Sequence, residues 1–227
     1  MDLKVDIAAR YADIRQRISG AAARAGRSPA EITLIGVTKT LPAEMARAAF
    51  GLGLRDLGEN RVQELIQKRA LLDDIPIRWH LIGHLQTNKA RTVLPHVVMI
   101  HSVDSVRLAE EIQRHSTGPI DVCLQVNTSG EGTKFGVSPR DVRAHAAAFR
   151  LLPNLRLRGL MTLGPLTADR HSIRASFRLL RDLLAEARTE SPDASVLSMG
   201  MSGDFEIAVE EGATHIRVGT ALFGPRG

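Results

Sequence analysis

From about residue 30 onward the chain repeats one pattern eight times. A short apolar run rich in branched residues is followed by a turn and then by a stretch with helical periodicity. The runs predicted as strands cover residues 32–37, 55–59, 77–82, 97–101, 120–126, 155–161, 194–198 and 215–218. The helical stretches between them cover 42–50, 62–72, 88–94, 105–115, 139–152, 168–188 and 204–211. Pro42 and Pro139 open two of these where proline is tolerated, and Ser105 is placed to cap a third. Strands alternating with helices pair in parallel, and eight such units close into a barrel. The expected fold is one α/β domain, a (β/α)8 TIM barrel over residues 30–227. An extra N-terminal helix over residues 1–28 precedes it, with Leu3, Ile7, Tyr11, Ile14 and Ile18 on one face. An open doubly wound sheet is the competing architecture, but no Gly-x-Gly-x-x-Gly follows the first strand.

Composition narrows the class. Of 227 residues, 44% are hydrophobic and 24% charged, which excludes a disordered or fibrous chain. Cys123 is the single cysteine and sits in an apolar run, so neither a disulfide framework nor a cysteine-rich zinc site is available. The net charge of +5 is spread among alternating acids and bases, so no nucleic-acid-binding arm is indicated. The first twenty residues are dotted with charges, unlike a signal peptide, and every apolar run falls far short of the roughly 18 residues a membrane helix needs. A cytoplasmic protein with no membrane partner is expected.

In a barrel of this kind the chemistry stands at the C-terminal ends of the strands. The first predicted strand delivers Thr38-Lys39-Thr40 there. A lysine in a barrel mouth loses its proton through desolvation or neighbouring cations, and then attacks carbonyls to form a Schiff base. The plainer alternative is a solvated lysine paired with Glu59 or Asp204. The seventh and eighth strands end in Met199-Gly200-Met201-Ser202-Gly203 and Gly219-Thr220, small-residue turns of the kind that bind phosphate between those strands. Aldehyde capture and phosphate capture in one mouth point to pyridoxal 5'-phosphate (PLP). Arg217, from the end of the eighth strand, is placed to meet the pyridine nitrogen. His80, His84 and His101 superficially suggest a metal site, but too few inward carboxylates accompany them. His96, His115, His145 and His171 fall in helical stretches and read as surface residues. Lys134, in Glu131-Gly132-Thr133-Lys134-Phe135-Gly136, reads either as a solvated loop lysine or as a secondary PLP contact.

Seven segments in order resemble the pyridoxal phosphate homeostasis protein family. They are Val37-Thr38-Lys39-Thr40-Leu41-Pro42, Gly58-Glu59-Asn60-Arg61-Val62-Gln63-Glu64, the run from Trp79 through His80 and His84 to Lys89, His101-Ser102-Val103-Asp104-Ser105, Gly159-Leu160-Met161, Leu197-Ser198-Met199-Gly200-Met201-Ser202 and Gly219-Thr220-Ala221-Leu222-Phe223-Gly224. The resemblance implies a barrel of the alanine racemase N-terminal type, with PLP held on Lys39 as a Schiff base. It implies that Ser202 and the backbone of Gly219 and Thr220 hold the phosphate, that Arg217 faces the ring nitrogen, and that Asn60 and His80 neighbour the ring. It also implies a carrier or regulator of PLP without established catalysis, with apo PLP-dependent enzymes as partners. Arg61 departs from the family pattern, where tyrosine is common, and Leu41 replaces a frequently polar position.

A weak racemase-like PLP enzyme acting on small amino acids is the alternative, and a non-PLP barrel for a phosphorylated metabolite is a third reading. Racemisation needs acid–base groups on both faces of the cofactor. The racemase relatives take one from a tyrosine on a second domain. Here the sequence stops three residues after Gly224, and its one tyrosine, Tyr11, precedes the barrel. No such domain is expected, and without it a monomer is expected.

Overall fold

A computed structural model describes residues 3–131 and 135–225, with side chains from Asp6 onward; Lys134 lies outside the described residues. Eight parallel strands form the closed barrel: β1 (Thr33–Val37), β2 (Asp56–Glu59), β3 (Arg78–Leu81), β4 (Met99–Val103), β5 (Ile120–Gln125), β6 (Leu155–Met161), β7 (Val196–Ser198) and β8 (His215–Val218). Their order around the barrel is their order in the chain, and β8 returns to pair with β1. Helices α1 (Leu3–Arg24), α2 (Ala43–Gly51), α3 (Val62–Leu71), α4 (Ala90–Val93), α5 (Val106–His115), α6 (Val142–Arg150), α7 (Arg170–Arg188), α8 (Phe205–Glu210) and α9 (Thr220–Phe223) surround it.

Most expected elements are present within a residue or two, and two differences have clear causes. The fourth strand starts two residues later than its apolar run, because pairing of His80 and Leu81 with Met99 and Ile100 sets its register. His101 and Ser102 therefore lie inside the strand. The helix expected over 88–94 is broken into a 3₁₀ turn (Thr87–Lys89), the single turn of α4 and a second 3₁₀ turn (Leu94–His96) containing Pro95. Ser105 caps α5 as expected, its hydroxyl accepting the Leu108 N–H at 3.3 Å.

Alternation along each strand separates two cores. Leu34, Leu57, Leu81, Ile100, Leu124, Leu160, Leu197 and Ile216 face outward, in one continuous apolar layer under the helices. That layer takes in Ile7, Ile14, Ile18 and Ala21 of α1, which is tied to α8 by Arg17–Glu206 and Arg24–Glu210 pairs. The lumen is divided. On one side Met99, Cys123, Met161 and Val196 form a small apolar cluster. The other side is polar, holding buried His80, His101, Ser198 and Arg217.

Burial holds His101 well below the ordinary histidine range, with the charges of His80, His215 and Arg217 acting the same way. Burial also lowers His215 to about 4, and His80 adds to the effect. Both rings are therefore neutral in the folded protein at neutral pH, whereas the unfolded chain protonates them near pH 6.5. Their neutral burial stabilises fully above that value and loses effect as pH falls through it. Stability should decline from pH 7 to pH 5, before the carboxylates titrate, by at most about 1.4 kcal/mol per pH unit for each ring. Urea midpoints across that window measure this, and a flat profile would contradict the neutral lumen.

Candidate functional site

The C-terminal mouth of the barrel holds a cavity of about 540 Å³, within the range of small-molecule sites. Lys39, Asn60, Ser202, Arg217, Gly219 and Thr220 all line it. Six of the seven expected site residues are thus brought together from β1, β2, β7 and β8 or the turns after them. His80 does not line the cavity. It is buried in the lumen, one inward position before Ile82, which does line it.

Lys39 is partly buried in a turn clamped on both sides. Thr38 donates its hydroxyl to Glu59 at 2.6 Å, and its carbonyl accepts the Lys68 ammonium at 2.5 Å. Thr40 has φ +63°, a left-handed conformation that is costly for a branched residue, and its N–H is taken by Glu64. Lys68 joins the two carboxylates, 2.6 Å from Glu59 and 2.7 Å from Glu64. Burial raises the Glu59 carboxyl above its ordinary range, and the bonds from Lys68 and Thr38 oppose that rise. Glu59, offered from the sequence as a partner for Lys39, instead serves Lys68 and Thr38.

On the other wall, Ser202 accepts the N–H groups of Gly219 and Ala221, both at 3.2 Å. Two main-chain donors thus converge on one oxygen where α9 begins. The turn before it needs glycine at residue 200. Its φ is +93°, and a Cβ there would lie 2.5 Å from the Ala208 side chain. Asp204 accepts the Met201 N–H and is raised by burial, with that bond and Arg217 opposing. Arg217 donates to Ser198 at 2.7 Å and to the Thr162 carbonyl at 2.8 Å, and burial lowers it to about 10. It remains cationic at neutral pH.

Across the mouth Asn60 is packed against Gly83 so closely that a Cβ on residue 83 would lie 2.3 Å from the Asn60 carbonyl oxygen. His84 stacks on Phe135 with ring centroids 4.1 Å apart and lies 3.2 Å from Asp104. The sequence reading missed His84 as a wall residue and missed Gln125 and Phe135, which also line the cavity. It missed Lys68 too, because a lysine amid the charges of α3 has the pattern of a solvated face.

The fold and this mouth define a barrel built to hold a small phosphorylated molecule beside a lysine. The alanine racemase N-terminal domain family matches residues 10–227. A pyridoxal phosphate homeostasis protein of Pseudomonas aeruginosa is 47% identical over 97% of this chain and 96% of its own. PipY of Synechococcus elongatus, solved with PLP bound, is 42% identical and superposes with a TM-score of 0.85 over 96% of this chain and all of its own. Alanine racemase of Corynebacterium glutamicum, 16% identical, shares the fold with a TM-score of 0.79 over 98% of this chain and 62% of its own. The chain belongs to the pyridoxal phosphate homeostasis protein family.

The Lys68 clamp generates a test. Lys68→Met would leave Glu59 buried without its cation, at a cost of about 3–5 kcal/mol in urea unfolding. Replacing both members, Glu59→Leu with Lys68→Met, should cost much less, because no buried charge is stranded. Equal losses in the single and double variants would mean the pair does not hold this turn.

Proposed function

We propose that this protein binds PLP in the barrel mouth and serves PLP homeostasis as a carrier or regulator. The observation carrying the reading is the convergence of Lys39, Arg217 and the Ser202–Gly219–Thr220 turn on one cavity. The names of the relatives and the PLP bound to PipY support it. When bound, PLP supplies an aldehyde that condenses reversibly with amines.

Each role follows from the chemistry of the residue. Lys39 is the amine that takes the aldehyde. Its flanking residues are fixed by Glu59, Glu64 and Lys68, so its backbone need not reorganise. Ser202 and the main chain of Gly219 and Thr220 would receive the phosphate, in a turn where the Gly219 and Ala221 N–H groups already converge on the Ser202 oxygen. Arg217 turns toward the ring nitrogen. Asn60 borders the ring, and His80 acts from below rather than as a contact.

The carrier reading is favoured over the racemase-like one by the position of the tyrosine. The chain's single tyrosine, Tyr11, lines a different cavity with Thr33, Asp56 and Arg78, at the N-terminal end of the strands. Lys39 and that tyrosine are therefore at opposite ends of the barrel.

No helix among the described residues is long and apolar enough to cross a membrane. The reading places a single-domain monomer in the cytoplasm, with α1 packed as part of the barrel and PLP delivered to apo PLP-dependent enzymes.

Two variants test the assignment. Borohydride reduction of the PLP-loaded protein followed by peptide mapping should label Lys39, and Lys39→Ala should lose the label while retaining weak reversible binding. A label on another lysine would overturn it. Ser202→Ala removes a bond to a charged group, worth about 1.5–3 kcal/mol, and should weaken PLP retention about ten- to a hundred-fold in equilibrium dialysis. Unchanged retention would remove Ser202 from the phosphate site. Incubation of the loaded protein with an amino-acid panel distinguishes carrier from enzyme by turnover.

A further inference from the structure

Below the cavity the lumen holds a line of polar side chains that the reading above does not use. Arg217 Nη1 donates to Ser198 Oγ at 2.7 Å. Ser198 Oγ lies 2.8 Å from His101 Nδ1. His101 Nε2 lies 2.9 Å from His80 Nδ1, and His80 Nε2 lies 3.0 Å from Asp56 Oδ1. Asp56 also binds Arg78 and lines the smaller cavity, of about 250 Å³, at the far end of the barrel. Four consecutive hydrogen bonds thus run from the mouth to the opposite face.

Counting protons fixes the direction. Arginine has no acceptor, so Ser198 accepts from it. The Ser198 hydroxyl is then free to donate to His101 Nδ1. His101 is completely enclosed, and its burial favours the neutral ring. A neutral ring that accepts at Nδ1 carries its proton on Nε2 and donates it to His80 Nδ1. His80 in turn donates from Nε2 to the Asp56 carboxylate, which burial would raise but the bonds from His80 and Arg78 hold below its ordinary range. Every donor has an acceptor, and the line ends on an anion. Run in reverse, Ser198 would accept from both sides and its own proton would have no acceptor in the line. The other titratable groups facing it are His215, whose ring centroid is 6.0 Å from that of His101, Cys123 of β5, and Asp204 near Arg217.

We propose that His101 is a positioning residue for Arg217, acting through Ser198 to present the guanidinium to the ring nitrogen, with His80 and Asp56 fixing the tautomer of the His101 ring. The proposal rests on the reading that Arg217 meets that nitrogen. It makes the electronic state of bound PLP depend on side chains that never touch it. The link is energetic, since losing an acceptor for a bond to a charged group costs on the order of tenfold in an equilibrium.

Nitrogen NMR of histidine-labelled, PLP-free protein tests the direction alone. Both rings should carry their proton on Nε2, and a proton on His101 Nδ1 would overturn the proposal. In loaded protein, His101→Asn and His101→Gln separate positioning from packing. Asparagine keeps an oxygen near the Nδ1 position to accept from Ser198, whereas glutamine extends past it. The glutamine variant and Ser198→Ala should shift the PLP absorbance maximum and speed release about tenfold, with the asparagine variant close to wild type. Equal behaviour of the asparagine and glutamine variants, or no change in Ser198→Ala, would overturn the proposal. Ser198→Ala, which removes only a hydroxyl, carries the test if the His101 variants do not fold. Arg217→Gln separates the two levels. If it leaves absorbance and release unchanged, the ring-nitrogen reading fails and the proposal with it. If it changes both while Ser198→Ala and His101→Gln change neither, only the proposal fails.

Discussion

Closure of the barrel depends on a short parallel ladder in which Thr33, Leu34, Ile35 and Gly36 of β1 lie opposite His215, Ile216, Arg217 and Val218 of β8. That register brings together residues from opposite ends of the sequence. Lys39 follows β1 by two positions and Gly219 follows β8 directly, so the amine and the phosphate-type turn meet at one rim. In an open sheet the two strands need not be neighbours, and the same motifs would not share a cavity. The ladder also turns Arg217 inward, since Ile216 and Val218 belong to the outer apolar layer.

The inward arginine then sets what the lumen must contain. A guanidinium removed from water is costly unless its donors are met and its charge is balanced. Ser198 and the Thr162 carbonyl meet two donors directly. Asp204 opposes the cost of burying the charge, while Met99, Cys123, Met161 and Val196 fill the apolar half of the lumen. Outside the wall a second buried cation, Lys68, is balanced by Glu59 and Glu64. Replacing either system with apolar residues would commonly be neutral or stabilising. Their presence is therefore better explained by the geometry they impose on Arg217 and on the Lys39 turn than by stability.

The architecture was legible because eight strand–helix units leave few alternatives, and β6 and β8 fall on the boundaries read from the sequence. Turn chemistry was legible too, since Ser105 and Gly200 stand where a cap and a tight turn need them. What failed depended on partners distant in sequence. The run Val97-Val98-Met99-Ile100 does not show where β4 begins, because its register comes from β3. His80, expected beside the ring, sits deeper in the lumen than the cavity lining. Two residues of strand rise separate it from the rim that Ile82 occupies. Lys68 was invisible because its carboxylate partners lie four and nine positions away, and only folding buries all three together.

The division between fixed and adjustable parts of the mouth bears on carriage. The turn around Lys39, the Ser202–Gly219 contacts and Arg217 are held by main-chain or buried bonds, so little entropy is lost there when a ligand arrives. Away from that cradle Phe135 and Leu166 line the cavity with exposed side chains, and His84 stacks on Phe135. On the proposed carrier reading, a Schiff base to Lys39 that exchanges with another amine, set in this preorganised cradle, would retain PLP and still let it leave.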